Sequence, residues 1–334
     1  MRGPRRARLH RPRPAEEAER AVKWLLVAAA VAVSLVALAT GEYALPISDL
    51  VAALAGRGTP ATEFVVTGLR APRVASGVLV GAAFGLSGAL FQSLTRNPLG
   101  SPDFLGFTAG AATGGIVAVV RHGSPWAVAA GAVLGCVLTA LAVQVLSRRG
   151  RRLVLVGVGV GALLSAANSY LLTQAGIWES ASAAAWLTGS LSGRGWEQVI
   201  PLAAVLALLI PVCGVLSRPL RMMEMGDDAA KALGVPVEAT RRWTVAAGVA
   251  LVGAGTAAAG PVAFLALVAP HLARRITRAP GVTLTASALT GAVLLVAADV
   301  AAQRVIAPGQ LPAGVMTAAI GGVYLAFLLR KDRR

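Results

Sequence analysis

Residues 243–273 read WTVAAGVALVGAGTAAAGPVAFLALVAPHLA, a run of 31 residues without Asp, Glu, Lys or Arg. As one helix the run would be about 46 Å long, whereas the hydrocarbon core of a bilayer is about 30 Å thick. Gly260 and Pro261 interrupt it, because proline breaks a helix from within. We therefore predict two membrane spans here, a seventh that ends near Gly260 and a short eighth, Val262–Ile276.

The composition of the whole chain indicates a membrane protein. Of the 334 residues, 56% are hydrophobic and 14% are charged, whereas about 25% of the residues of a soluble domain are charged. Uncharged windows recur along the chain, and a bilayer span needs about 20 mostly apolar residues. We predict an all-α polytopic membrane protein.

Charged residues bound the other predicted spans. These are Trp24–Gly41, Val74–Thr95, Phe104–Val120, one within Ser124–Leu146, one within Leu153–Ala175, Gln198–Leu216, Ala279–Ala302 and Pro312–Leu329. An external segment, 42–73, contains a candidate surface helix near Ser48–Ala55, and Ser180–Leu191 is too short to cross, so we expect a half-helix on the outer face. The prediction is a basic cytoplasmic tail, 1–23, followed by a ten-helix transmembrane domain, 24–331.

The positive charges support ten spans. The net charge is +16, but the basic residues cluster in short segments between apolar windows, which is typical of cytoplasmic loops and not of a nucleic-acid surface. With ten spans and both termini in the cytoplasm, 25 of the 31 Lys and Arg residues lie inside. A single span at 243–273 would move seven of these residues to the outside.

A candidate internal repeat has an offset of 172 residues. Without a gap, eight residues from Arg70 to Pro98 match eight from Arg242 to Pro270, among them Gly81 and Gly253. The second and seventh spans run in opposite directions, so the repeats would be inverted, as in many transporters. Chance similarity stays open, because Ala, Val, Leu and Gly fill both windows.

A polar stretch, 217–242, interrupts the apolar windows. We expect a short helix in it, with Asp227 as the N-cap and Gly234 followed by Pro236 as the stop. Met222, Met223 and Met225 precede this helix and are adaptable apolar side chains on a segment that faces water. The stretch is either a docking surface for a cytosolic partner or a solvated connector.

Four segments resemble the permease family of iron–siderophore, haem and vitamin B12 ABC importers. They are 69–106, which includes the polar turn RNPLGSPD at 96–103, then 260–274, 298–299 and 310–317. Residues 225–235 resemble that family's cytosolic coupling segment, and we therefore call 217–242 the coupling segment. The resemblance extends over 24–331. Within the family, 97–103 and 224–228 are most similar to permeases of the ferric enterobactin type.

The resemblance implies the ten-helix fold of these permeases and a role as the transport subunit of an importer for a ferric siderophore, of the catecholate type. Expected partners are a dimer of ATPase subunits, a second permease that is identical or different, an extracytoplasmic siderophore-binding protein and membrane lipid. The chain has no G-x-x-x-x-G-K-[ST] loop. We therefore expect no cofactor and no catalysis in this chain, with ATP and Mg²⁺ used by the partner ATPase.

The candidate site residues form three groups. For ATPase coupling we expect Glu224, Gly226, Asp227, Asp228, Ala230, Leu233 and Gly234. For docking of the binding protein the resemblance implies exposed Arg70, Arg73 and Arg304, although the family's arginine would fall nearer Gln303. Pathway candidates are Asn168, Ser169, Gln92 and Asn97. We expect no metal cage, because the iron travels inside its chelator.

Several alternatives remain open from the residues alone. Asp299 is either an ion-pair partner near Arg304 or a transport residue, since acids within spans are functional suspects. His271 favours a structural role. Haem or cobalamin are alternative cargoes. An ion-coupled secondary transporter is a rival class, but it would need more buried acids or histidines than these spans contain. A channel subunit or scaffold would show passive flux or none.

Overall fold

The computed structural model describes residues 14–41, 45–147, 153–279, 281–306 and 309–331. Most of the predicted cytoplasmic tail and the basic run 148–152 lie outside the described residues. Every regular element in the described part of the chain is helical. The predicted all-α fold class is therefore confirmed.

Fourteen α-helices and one π-helical segment, Phe64–Arg70, make up the described fold. In chain order the helices are α1 (Pro14–Ala39), α2 (Ile47–Leu54), α3 (Pro60–Glu63), α4 (Ala71–Thr95), α5 (Phe107–Val120), α6 (Pro125–Leu146), α7 (Leu153–Gln174), α8 (Ile177–Leu187), α9 (Trp196–Met223), α10 (Asp227–Ala232), α11 (Val237–Ala259), α12 (Leu265–Thr277), α13 (Leu284–Val305) and α14 (Ala313–Lys331).

Ten of these helices correspond in order to the ten predicted spans. They are α1, α4, α5, α6, α7, α9, α11, α12, α13 and α14. Six helical stretches in the described residues are long and apolar enough to cross a bilayer unaided: 19–39, 60–95, 125–146, 153–174, 196–223 and 284–305. The apolar parts of α5 and α14 are shorter, and α12 has only 13 residues. Short helices of this kind depend on their neighbours for burial.

The chain turns back at Gly260, as the sequence predicts. Gly260 has φ +79°, and a Cβ there would lie 2.5 Å from the carbonyl oxygen of Trp186, so only glycine fits this turn without strain. Helix α11 ends at Ala259, and α12 begins at Leu265. The predicted start of the eighth span at Val262 is wrong by three residues, because 261–264 forms the connection between the two helices.

Helix direction confirms the split into two spans. Gly77 of α4 lies against Val296 of α13, and Gly85, further along α4, lies against Ser287. The residue numbers rise along α4 and fall along α13, so the two helices are antiparallel. Gly255 lies against Phe84 and Gly248 against Phe91, so α11 is also antiparallel to α4. Since α11 and α13 run the same way, α12 must cross back between them.

Helix α4 is the centre of the bundle. In the helical stretch 60–95, 78% of the residues of the most apolar window are buried. The buried share of the corresponding window is 11% both in residues 19–39 of α1 and in α7. Small residues permit this close packing of backbones. A Cβ at Gly88 would lie 1.8 Å from the carbonyl oxygen of Ala266, so α4 and α12 touch backbone to backbone there.

Several boundaries differ from the prediction at the membrane surface. Helix α1 begins at Pro14 instead of Trp24, and the ion pair of Glu19 with Lys23, at 2.7 Å, supports its first turns. The π-helical segment continues into α4, so the second span starts well before Val74. Helix α9 extends to Met223, because Leu220 and Met223 continue its buried stripe into the polar region.

The packing supports the candidate inverted repeat over α4 and α11. The two helices are antiparallel, and their matched glycines contact corresponding neighbours, Gly81 with α13 and Gly253 with α6. The match does not extend to the prolines. Pro98 lies in the turn after α4, whereas Pro270 lies inside α12. The offset of 172 therefore describes one helix pair and not the whole repeat.

Candidate functional site

The coupling segment contains the short helix α10 near its middle. Gly226, with φ +112°, precedes the helix, and Gly234, with φ +81°, follows it. These positive φ angles suit glycine. The predicted N-cap is wrong: Gly226 occupies that position, and Asp227 is the first helical residue. Its side chain is thereby free to bond outside the helix, and fully buried Ala230 fixes α10 to the bundle.

Asp227 connects three helices. Arg96, just after α4, donates from Nη2 to Oδ1 of Asp227, and Arg241 of α11 donates from Nη2 to Oδ2 at 2.8 Å. Burial by itself would raise the pKa of Asp227, but the hydrogen bond and charge of Arg241, and then the charges of Arg96 and Lys231, hold it below its usual range. The carboxylate therefore stays ionised at neutral pH and ties α10 to α4 and α11.

A second polar connection joins α4 to the coupling segment and to α12. Ser93 donates from Oγ to Glu224 Oε1 at 3.0 Å. Gln92 donates to the carbonyl oxygen of Leu267 at 3.0 Å and accepts from Arg274. Gln92 is 2% exposed, so its prediction as a pathway residue is wrong in this conformation. Gln92 lies on the buried face of α4, where it contacts α12.

The outward side of the coupling segment combines apolar side chains with an unpaired acid. Met225 and Leu233 are 64% and 60% exposed, and Met222 is 37% exposed. Asp228 is exposed and makes no ion pair or hydrogen bond with other described side chains. We call Met222, Met225, Asp228 and Leu233 the coupling patch. Exposed apolar side chains of this size on a polar segment are typical of an interaction surface.

At the opposite end of the bundle, Arg73 and Asp299 form a two-point ion pair. Nε and Nη2 of Arg73 each lie 2.9 Å from a carboxylate oxygen of Asp299. Gln303 donates to the same carboxylate at 2.9 Å, and Arg73 also donates to Gln310 at 3.2 Å. The ion-pair interpretation of Asp299 is confirmed, but its partner is Arg73 of α4 and not the nearby Arg304.

Arg70 and Arg304 differ from each other in exposure. Arg70 is 8% exposed and donates to the carbonyl oxygen of Leu38 at 2.9 Å, at the end of α1. The prediction of an exposed Arg70 is wrong, because the free carbonyls of a helix C-terminus attract its cation. Arg304, in the last turn of α13, is exposed. Of the three predicted docking arginines, it alone extends from the surface.

A cavity of about 400 Å³ opens beside the Arg73–Asp299 pair. The charged and amide side chains that line it are Arg70, Arg73, Arg194, Asp299, Gln303 and Gln310. Three arginines against one carboxylate make the cavity positive, so it suits a carboxylate side chain. Arg194 was missed by the sequence analysis. The sequence feature that could have identified Arg194 is its position as an isolated basic residue in an otherwise uncharged outer loop.

We expect Asp299→Asn to destabilise the protein by about 3 kcal/mol, because removal of one member of a buried pair leaves the other charge uncompensated. The thermal unfolding midpoint of the purified protein in detergent measures this. The double variant Arg73→Gln/Asp299→Asn should recover part of the loss. An Asp299→Asn protein that unfolds at the wild-type temperature would contradict a structural role for the pair.

The remaining pathway candidates have different environments. Asn168 of α7 is buried, and its Oδ1 has no hydrogen-bond partner among the described residues. Ser169 is exposed and donates to the carbonyl oxygen of Ser165. Asn97 is exposed and caps its own turn by accepting from the Leu99 amide at 2.9 Å. Of these, Asn168 alone presents a buried polar atom that a cargo or a partner could satisfy.

His271 is part of a contact between spans. Its Nδ1 lies 2.6 Å from the hydroxyl oxygen of Tyr324, which joins α12 to α14. This geometry supports the structural role expected for His271. Among the residues that the structure describes, no group of three or more His, Cys, Asp or Glu side chains could hold a metal ion.

The sequence matches one transport family over nearly its whole length. The profile of the FecCD transport family matches residues 27–331. The ferric enterobactin transport system permease protein of Escherichia coli (strain K12) is 45% identical over 315 residues, which cover 93% of this chain and 96% of that protein. The achromobactin transport system permease protein of Dickeya dadantii (strain 3937) is 36% identical over 315 residues, 90% of this chain and 89% of that protein.

A solved structure has a similar fold. It is described as an inward-facing conformation of a metal-chelate type ABC transporter, and it is 27% identical to this chain with a TM-score of 0.85. The alignment covers 93% of this chain and 99% of the other.

Proposed function

This chain belongs to the FecCD transport family, and we propose that it takes up a ferric siderophore of the catecholate, enterobactin-like type as the permease subunit of an ABC importer. It is a multi-pass protein of the bacterial inner membrane. The observation that carries the role as an importer subunit is the coupling patch, an exposed apolar and acidic surface on a membrane domain whose sequence has no phosphate-binding loop. The cargo proposal is supported by the 45% identity to the ferric enterobactin permease.

In this proposal the coupling patch contacts a separate ATPase. Met225 and Leu233 supply apolar contact area, and Asp228 supplies a charge that orients the partner. Asp227 does not belong to the contact surface, since its carboxylate is occupied by Arg96 and Arg241. Its role is to transmit displacement of α10 directly to α4 and α11. The coupling end faces the cytoplasm, with both chain termini on that side.

The opposite end receives the binding protein. Arg304 is exposed for a first contact, and the positive cavity beside Arg73 accommodates a carboxylate of the docked protein. Arg70 contributes charge to the cavity from a buried position. A second permease subunit completes the pathway, and Asn168 of α7 faces either that subunit or the cargo.

Uptake by a strain that lacks this gene tests the cargo. We expect uptake of a labelled ferric catecholate to fall at least about tenfold, while uptake of a ferric hydroxamate, haem and cobalamin stays unchanged. Return of the gene on a plasmid should restore catecholate uptake. Loss of cobalamin or haem uptake with normal catecholate uptake would assign the alternative cargo.

The energy source separates this function from its rival class. Uptake should stop when ATP is depleted and should persist when the proton gradient alone is collapsed. The reverse pattern would indicate an ion-coupled secondary transporter, for which the described spans offer few candidate acids apart from Asp299, already paired with Arg73.

A further inference from the structure

A large groove opens on the side of the bundle between α6 and α9. Its volume is about 750 Å³, and we call it the α6–α9 groove. One wall includes Val133 and Leu134 of α6, the other includes Pro201 and Val205 of α9, and Ala254 and Ala257 of α11 form the floor. The lining is mostly apolar, and the small alanines of the floor give the groove its depth.

The surroundings of the groove are those of a bilayer. Leu134 on one wall is 61% exposed, and Ile200 on the other helix is 64% exposed, within two of the stretches long and apolar enough to span a membrane. Packed protein contains few voids larger than a water molecule, and water in an apolar groove would lack hydrogen-bond partners. An alkyl chain matches both the chemistry and the location.

Two opposite charges lie at the mouth of the groove. Arg194 and Glu197 both line it, and Arg194 lies between this groove and the positive cavity beside Arg73, since it lines both. Neither makes an ion pair with another described residue. Nε of Arg194 donates to the carbonyl oxygen of Ser190 at 3.1 Å, and the Ser190 amide donates to Ala259 at 2.8 Å. The loop is thus fixed to the end of α11, and the two Nη atoms remain available.

The environment of Arg194 favours an anionic ligand. The residue is half-buried, and burial lowers the pKa of its guanidinium without a compensating acid. A bound phosphate group offsets the free-energy cost of burying the guanidinium charge, and its oxygens match the planar N–H donors of arginine. Glu197, exposed in the first turn of α9, can accept hydrogen bonds from an ammonium group next to that phosphate.

We propose that the α6–α9 groove binds a phospholipid with an ammonium headgroup, phosphatidylethanolamine. An acyl chain lies between α6 and α9, Arg194 binds the phosphate, and Glu197 binds the ammonium. Trp126, 58% exposed at the start of α6, lines the same groove as Arg194, and tryptophan favours the membrane interface where lipid headgroups lie. The site depends on the position of the chain in a bilayer and is independent of the transported cargo.

Native mass spectrometry of the full-length, delipidated protein tests the site. The protein is titrated with phosphatidylethanolamine and, separately, with phosphatidylglycerol, which has no ammonium. We expect tighter binding of phosphatidylethanolamine. Arg194→Gln should weaken binding of both lipids by about tenfold, and Glu197→Gln should remove the preference between them. Arg57→Gln removes the same charge at an exposed arginine outside the groove, so it serves as the control and should change neither.

Two further variants test the groove itself. Ala257→Trp fills the floor and should reduce binding of both lipids, with thermal unfolding as the check on folding. If that variant does not fold, the variants at Arg194 and Glu197 decide the outcome. Wild-type binding of both lipids by Arg194→Gln would overturn the proposal. Disulfide formation between two copies of a Leu134→Cys protein in phosphatidylethanolamine bilayers would also overturn it, because a second protein copy would then occupy the groove.

Discussion

Gly88→Ala is expected to destabilise the folded protein by at least about 3 kcal/mol, a severe case of overpacking. The added Cβ would lie 1.8 Å from the carbonyl oxygen of Ala266 and 2.7 Å from its carbonyl carbon. Both are backbone atoms of α12, so no side-chain rotation relieves the clash. Separation of α4 from α12 would also break the hydrogen bond of Gln92 with Leu267. The yield of monodisperse protein and its thermal unfolding midpoint measure the loss.

Gly214→Ala is the matched control for this prediction. Gly214 is also inside a long helix, α9, but no heavy atom lies within 4 Å of the position of an added Cβ. Replacement of a helical glycine by alanine without a clash is worth about 0.5–1 kcal/mol of added stability. Equal unfolding temperatures for the two variants would refute the close contact of α4 with α12.

The second large effect is expected for Asp228→Arg. Because Asp228 is exposed and unpaired among the described residues, its replacement should leave folding intact. A reversed charge in the coupling patch should repel the partner surface that the carboxylate orients, since like charges across an interface cost several kcal/mol. We expect ATP-driven uptake to fall at least about tenfold in proteoliposomes that contain the full importer, while the unfolding temperature stays unchanged.

Two comparisons make the Asp228 result specific. Asp49→Arg makes the same charge change at an exposed residue of α2 and should transport normally. Asp227→Arg puts a third cation between Arg96 and Arg241 and should lower both uptake and the unfolding temperature. Normal uptake by Asp228→Arg would remove the coupling patch from the ATPase contact.

The sequence predicted the helices well because a bilayer restricts what a chain can do. Each span must be about 20 residues of mostly apolar character. A glycine followed by a proline predicts an interruption of the helix, as at Gly260-Pro261. The helix directions of α4, α11 and α13 agree with the ten-span count that rested on charge placement. The coupling segment was recognisable for the same reason, as a polar stretch between apolar windows.

The direction in which a polar side chain points was not predictable from the sequence. Gln92 and Arg70 were expected to face a pathway and a partner, but they bond to the carbonyl oxygens of Leu267 and Leu38 on other helices. In both cases the partner is a backbone atom far away in the sequence. No residue type marks such a carbonyl as available.

For this protein, the sequence alone determined the class, the number and order of the spans, the turn at Gly260 and the absence of a phosphate-binding loop. These properties follow from hydrophobicity, charge and backbone chemistry, which act over a few neighbouring residues. The tertiary structure alone decided that Asp299 pairs with Arg73, that Asp227 holds α4 and α11 together, and that a groove with Arg194 at its mouth opens between α6 and α9. Each of these depends on which helices pack together, and packing brings into contact residues as far as 226 positions apart, as in the pair of Arg73 with Asp299.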